Sequence, residues 1–242
     1  MTEYLLYGRT DYSEVIEFAA TLREAGEKID NPRAIAFADT VAGEVHLLMG
    51  DLESARDALD SAADLHREIG AYAGEAMSLQ RLAEVHMHLR ENDEALRLLE
   101  LAIPLARWSA ISQHLIQRIY GSMILATRDP DAARAMVDRA EEAIGPSDQC
   151  VLCTVMVALP SAIACARVGD IDGAERFLKE GEASAMGWEG TAWQGAVAEA
   201  KAHLALALGE DADAVEMFVS AADLFGRAGQ PLDRQRCLAA AG

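Results

Sequence analysis

The chain of 242 residues has few aromatic side chains, few lysines and little positive charge. Aromatic residues make up 5% of it, lysine occurs only at Lys28, Lys179 and Lys201, and the formal net charge is −19. Direct binding of nucleic acid needs clustered Lys and Arg side chains, so this composition argues against it. The acidity is typical of a solvated surface that keeps an alanine-rich chain in solution, with attraction of a basic partner as the alternative.

Long apolar runs and dense cysteine are missing as well. The longest apolar segment, VLCTVMVALPSAIACA at 151–166, is shorter than the roughly 18 residues that a membrane-spanning helix needs, and it indicates a buried helix. Four cysteines do not make a disulfide scaffold. The first residues lack the apolar core of a signal peptide. These absences predict a cytoplasmic protein with reduced thiols and no membrane contact.

Catalytic motifs are also absent from the sequence. No P-loop, dinucleotide-binding fingerprint, zinc-protease helix or ordered set of nucleophile, base and acid can be found. The acidic turns GEDADA and GDIDGAE lack the ligand spacing of a calcium loop. The sequence therefore predicts a protein that is not an enzyme.

Alanine, the strongest helix former, is abundant and follows a repeating pattern. The stretch GDLESARDALDSAADL has four further copies, and the five begin about 40 residues apart at Gly50, Arg90, Arg128, Gly169 and Gly209. Each copy holds a small residue five positions after its start, then a large apolar residue, then a second small residue. The first copy has Ala55, Leu59 and Ala62 at these positions.

A further small residue lies seven positions before each start, at Gly43, Ala83, Gly121, Ala162 and Ala202. Together with the helical spacing of the apolar positions, this pattern predicts a helix A, a short turn and a helix B in each copy. Small side chains are expected where the two helices cross, because only they let two helix axes approach closely.

This pattern resembles the tetratricopeptide repeat (TPR), whose standard unit has about 34 residues. The longer, aromatic-poor units look like the repeat regions of large bacterial transcription regulators of the LuxR type. The resemblance implies an all-α fold, a right-handed superhelical solenoid of antiparallel helix hairpins with a period of about 40. It also implies a role as the sensor or interaction region of such a regulator.

The repeats are expected to form one TPR-like domain over 1–242. It would contain a partial repeat at 1–35, repeats starting near 36, 76, 114, 155 and 195, and a partial helix at 230–242. A stack that ends in mid-repeat exposes apolar faces. Either the chain is a piece of a longer protein, which we favour, or its exposed repeat ends form a homodimer.

The resemblance places helix A of each copy along a concave groove that would bind a protein or small-molecule ligand. Methionines suit adaptable apolar contact, and isolated arginines suit a carboxylate or phosphate. The alternative is that these side chains only pack between repeats. The predicted groove residues are Glu44, Met77, Glu84, Met87, His88, Arg118, Met156, Arg167, Glu199 and His203.

Pro160 falls inside the predicted helix A of the fourth copy, where it removes one helical hydrogen bond and should kink the helix. A kink facing the groove would open a pocket. A small-molecule site is therefore expected near Arg118, Met156, Arg167 and His203.

Cys150 and Cys153 form a C-x-x-C pair at the start of the same helix. With His114, which the repeat register puts on the same rim, the pair would hold Zn²⁺, the one cofactor the sequence suggests. Alternatively it would act as a redox switch, since thiol pKa values fall at helix N-termini. Plain packing of buried cysteines is the favoured reading of a lone C-x-x-C.

The sequence as a whole predicts a non-catalytic ligand- or protein-binding repeat module. A metal- or thiol-responsive module built on Cys150 and Cys153 is one alternative. A scaffold that only mediates self-assembly is another.

Overall fold

The computed structural model describes residues 2–145 and 150–242. Within these residues the chain forms α-helices and no β-strand, which confirms the predicted all-α fold. The helices are α1 Thr2–Tyr7, α2 Tyr12–Lys28, α3 Pro32–Met49, α4 Leu52–Glu68, α5 Tyr72–His88, α6 Asn92–Arg107, α7 Ser112–Ala126, α8 Pro130–Ile144, α9 Val155–Arg167, α10 Ile171–Ala185, α11 Ala192–Leu208, α12 Asp211–Arg227 and α13 Pro231–Ala240.

The chain divides into two compact units. The first unit is Met1–Ile119 and the second unit is Tyr120–Gly242, so the boundary lies within α7. The prediction of a single repeat domain over 1–242 stays a prediction. In both units, helices that follow one another along the chain pack together as hairpins.

The turns between helix A and helix B form where the repeats predict them. Gly50 and Gly209 end their A helices with φ values of 83° and 80°, a left-handed conformation that glycine adopts without strain. Three B helices are capped by the residue just before their first turn, Asp51, Asp129 or Asp170, and each carboxylate accepts a hydrogen bond from a backbone N–H three residues later. These caps satisfy N–H groups that the first helical turn leaves without a partner.

The small residues of the repeats lie where the helices cross, as predicted. Ala55, Ala95, Ala133, Ala174 and Ala214 all have an exposed fraction of 0%. A side chain on Gly43 would come within 2.5 Å of Leu59 Cγ. A methyl group on Gly121 would overlap the carbonyl oxygen of Met156, and one on Gly181 would overlap the side chain of Leu159. Of these three, only Gly121 would meet backbone at this distance, so glycine is needed most at that crossing.

The predicted buried helix of the apolar segment is α9, which begins at Val155. Pro160 lies inside α9 and is itself buried. None of the helices in the described ranges is long and apolar enough to cross a membrane.

Candidate functional site

Charged and polar side chains meet inside the first unit, on the face that its A helices share. We call Glu44, Gln80, Arg81, Glu84 and Arg118 the polar cluster. Helix α3 supplies Glu44, helix α5 supplies the next three residues, and helix α7 supplies Arg118. Four of the five are buried, and the side chain of Glu84 is 25% exposed.

The guanidinium group of Arg81 donates three hydrogen bonds in three directions. Its Nε donates to Glu44 Oε1 at 2.7 Å, and its Nη1 donates to Glu84 Oε2 at 2.6 Å. Its Nη2 donates to the hydroxyl of Tyr7 at 2.9 Å. The fixed fork geometry of arginine suits this arrangement, since one planar group holds three acceptors in place.

Arg118 and Gln80 close the cluster into a ring. Arg118 donates from Nε to Gln80 Oε1 at 3.2 Å, and its Nη2 lies 3.5 Å from Glu44 Oε1. Gln80 in turn donates from Nε2 to Glu84 Oε1 at 2.6 Å. The contacts run from Glu44 through Arg81, Glu84, Gln80 and Arg118 back to Glu44.

The ring contains two guanidinium groups and two carboxylates, so its formal charges balance. Removing charges from water is costly unless they are paired and hydrogen-bonded. Burial by itself raises the pKa of Glu84, but the nearby Arg81 and Arg118 and the hydrogen bonds that Glu84 accepts outweigh it. The pKa of Glu84 therefore lies below its usual value, and the carboxylate stays ionised at neutral pH.

The structure brings together three of the predicted groove residues of the first unit, Glu44, Glu84 and Arg118. The other three, Met77, Met87 and His88, are half-buried on α5. Sequence reasoning missed Arg81, because the apolar register assigns it to the position beside the groove. One signal in the sequence could have found Arg81. Its charge is opposite to that of Glu44, which lies one repeat earlier in the chain.

In the second unit, the predicted residue Glu199 is buried and held by Arg236 of α13. Arg236 donates to both carboxylate oxygens, at 2.7 and 2.6 Å. The His203 ring lies edge-on to the ring of Phe218, with 5.2 Å between centroids. Burial lowers the pKa of His203, so this histidine is neutral at physiological pH.

The other two predicted residues of the second unit, Arg167 and Met156, have different surroundings. Arg167 is exposed and donates from Nη2 to the backbone carbonyl of Arg128 at 2.8 Å. Met156 is buried beneath Gly121. The small-molecule site expected near Arg118, Met156, Arg167 and His203 takes one residue from the first unit and three from the second, and it stays a prediction.

Cys150 and Cys153 are joined by a disulfide bond, so the expectation of reduced thiols does not hold for this pair. Zinc binds thiolate sulfur, and the oxidised pair does not offer it. Across residues 2–145 and 150–242, no group of three or more His, Cys, Asp or Glu side chains is arranged to hold a metal ion. His114 is half-buried in the first unit. The Zn²⁺ site of Cys150, Cys153 and His114 stays a prediction that these contacts do not support.

Comparison with known proteins gives a likeness in fold. The chain is similar to the crystal structure of a Rap protein complexed with competence and sporulation factor, with a TM-score of 0.62 and 15% sequence identity. The match covers 95% of this chain and 70% of the Rap chain. No protein-family model matches the sequence, and no curated protein sequence matches it. At this identity the likeness shows the helical repeat fold alone.

Proposed function

We propose that the chain is a non-catalytic binding module that recognises a protein or small-molecule partner through the A-helix face of its first unit. The observation that carries this proposal is the closed ring of the polar cluster. Apolar side chains of similar volume would stabilise stacked helices at least as well as buried ion pairs do. A balanced polar ring on the face where binding is expected is therefore better explained by recognition than by stability.

The half-buried residues beside the ring fit this role. Met77 and Met87 lie on the same helix as Gln80, Arg81 and Glu84. Their flexible thioethers can adapt to an apolar partner, while the ring fixes the position of its polar groups. The Rap structure holds competence and sporulation factor, which supports partner binding as a use of this fold.

The wider setting that we propose is a bacterial transcription regulator, in which this segment is the cytoplasmic sensor or interaction region. The support for it is the resemblance of the long, aromatic-poor repeats to those of LuxR-type regulators. The strongly acidic composition leaves contact with DNA to another part of such a protein.

A selection from phage-displayed random peptides tests the binding role with the full chain. We expect a set of enriched peptides that bind the purified protein, and we expect Met77→Glu to weaken their binding at least tenfold. Met186→Glu is the matched control, because Met186 is 85% exposed in the second unit. Circular dichroism checks that both variants are folded. No enrichment, or peptides that bind both variants equally, would rule out this face as the binding site.

A thiol-responsive module is the second candidate, and the bond between Cys150 and Cys153 favours it. The pair precedes the first turn of α9, and the indole N–H of Trp188 donates to the carbonyl of Leu152 between the two cysteines at 3.2 Å. Reduction in a folded chain is expected to change the fluorescence of Trp188. An unchanged emission spectrum after complete reduction would remove this candidate.

A further inference from the structure

The first helix of the chain ends at the polar cluster. Tyr7 is the last residue of α1, and its hydroxyl accepts the hydrogen bond from Arg81 Nη2 at 2.9 Å. The Arg81 guanidinium carbon also lies 5.9 Å from the centroid of the Tyr7 ring, within reach of a cation–π contact. Tyr7 and its neighbour Leu6 are both buried. The end of α1 is therefore docked against the polar cluster.

The partner of Tyr7 is not on the nearest A helix. Arg81 belongs to α5, 74 residues further along the chain, whereas α1 packs against α2 and α3. The Tyr7 side chain thus extends past α3 to the middle of the cluster. It occupies the same face that we propose for partner binding.

Helix α1 is too short to be stable by its own hydrogen bonds. It has six residues, and isolated helices shorter than about 12 residues are marginal in water. Residues 8–11 after it are not helical. Among the side chains of α1 that the structure describes, Leu6 and Tyr7 are the buried ones, and they dock the helix in place.

We infer that the segment Thr2–Tyr7 is a built-in occupant of the binding face, and that the partner is a short apolar segment presenting a neutral hydroxyl to Arg81. This inference rests on the proposed function and deepens it. Partner and α1 would compete for one site, so binding requires that the end of α1 leave Arg81.

Charge balance selects the chemistry of the partner. The two guanidinium groups of the ring are already matched by Glu44 and Glu84, and the third donor of Arg81 serves a neutral phenol. A carboxylate in the place of that phenol would add an unpaired negative charge to a buried site, which is strongly unfavourable. A hydroxyl accepts the same hydrogen bond without that cost.

The experiment uses a labelled peptide of sequence TEYLLYGRTD, which is residues 2–11, and the full chain. Fluorescence anisotropy measures its binding to the wild type and to Leu6→Ala/Tyr7→Ala, in which the internal segment is released. We expect the variant to bind the peptide at least tenfold more tightly than the wild type. Phe18→Ala, which removes an exposed aromatic side chain from α2, is the matched control and should bind like the wild type.

Changes in the peptide test the hydroxyl itself. A peptide with phenylalanine in place of Tyr7 should bind the variant about tenfold more weakly, because a hydrogen bond to a charged donor is lost. A glutamate at that place should weaken binding further. A glutamate peptide that binds as tightly as the tyrosine peptide would overturn the charge-balance argument.

Three further outcomes decide whether the inference holds. If the double variant is unfolded, the full-length Tyr7→Phe chain, which keeps the ring and loses only the hydroxyl, should still bind the peptide more tightly than the wild type. Equal binding to wild type and folded variants overturns the inference. If selected phage peptides bind through Met77 while α1 variants leave their affinity unchanged, the proposed function stands and the built-in occupant does not.

Discussion

Arg81 and Glu44 lie 37 residues apart in the chain and meet through a hydrogen bond of 2.7 Å with both side chains about 97% buried. They belong to A helices of successive repeats, so the bond joins one hairpin to the next. In this interior each charge is therefore stabilised mainly by the other, with Glu84 and Arg118 as further partners.

Replacement of Arg81 by methionine is expected to destabilise the protein by about 3–5 kcal/mol, because it leaves the Glu44 carboxylate buried without its main partner. Urea unfolding followed by circular dichroism measures the loss. Adding Glu44→Gln to this variant removes the uncompensated charge and should restore part of the stability.

Arg97→Met is the matched control for this experiment. Arg97 pairs with Glu94 on α6, and both side chains are more than a third exposed. Exposed pairs contribute about 0–1 kcal/mol, so this variant should unfold at nearly the wild-type urea concentration. Equal losses for Arg81→Met and Arg97→Met would contradict the description of the ring as a buried network.

Gly121→Ala is expected to cost about 2–4 kcal/mol, as overpacking against rigid backbone does. A methyl group there would overlap the carbonyl oxygen of Met156. Met156 lies four residues before Pro160, which has no N–H to donate back to that carbonyl. The proline and the glycine therefore belong to one close crossing of α7 and α9. Thermal unfolding measures the effect.

Gly226→Ala gives the contrast, because a methyl group on Gly226 would meet only the flexible side chain of Arg234, at 3.1 Å from Cδ. Alanine is the better helix former by roughly 0.5–1 kcal/mol. This variant should be as stable as the wild type or slightly more stable. If Gly226→Ala lost as much stability as Gly121→Ala, the loss would come from replacing a glycine within a helix and not from the close crossing.

The hairpins and their crossings could be predicted because repetition multiplies a weak signal. One small residue at Gly43 says little, but the same position recurs at Ala83, Gly121, Ala162 and Ala202 and is buried in each repeat. Some turns were predictable for a similar reason, since at Gly50–Asp51 and Gly169–Asp170 the glycine adopts a positive φ after one helix and the aspartate caps the next. The local helix and turn signals and the repeated pattern therefore indicate the same fold.

The polar cluster could be predicted only in part. Glu44, Glu84 and Arg118 follow from the groove register, but the role of Arg81 depends on a contact between repeats that no local pattern encodes. Tyr7 was missed because its partner lies 74 residues away. The disulfide between Cys150 and Cys153 was missed because composition suggested reduced thiols. Contacts of this kind depend on tertiary arrangement.

Thiol titration is expected to give no rapid reaction in the native protein at pH 8. Cys165 and Cys237 are the free cysteines, and burial raises their pKa values to about 11 and about 12. Since the thiolate is the reactive form, both should be inert until unfolding. Denaturation without reductant should expose these two thiols, and prior reduction should add Cys150 and Cys153. Four thiols without reductant would contradict the disulfide.

His66 is expected to make the protein less stable as the pH falls from 7 to 5. The hydroxyl of Thr40 donates to the carbonyl of Ala36 at 2.9 Å and shares a second hydrogen bond with His66 Nε2 at 3.1 Å. His66 Nδ1 is buried and has no hydrogen-bond partner among the described residues. Protonation would place an N–H there without an acceptor.

The loss of stability at low pH follows from the linkage between protonation of His66 and folding. Burial, aided by the charge of Arg33 and opposed by that of Asp39, lowers the pKa of His66 below its usual 6.5. As the pH falls, the unfolded chain therefore binds the proton before the folded chain does. The stability that the neutral ring contributes is complete above pH 6.5 and declines as the pH falls from there through the lower pKa of the folded state. Carboxylates also contribute to acid sensitivity, so the measurement is the difference between wild type and His66→Gln in urea unfolding at pH 5, 6 and 7. The glutamine variant should lose less stability over this range, whereas parallel curves would show that His66 titrates alike in both states.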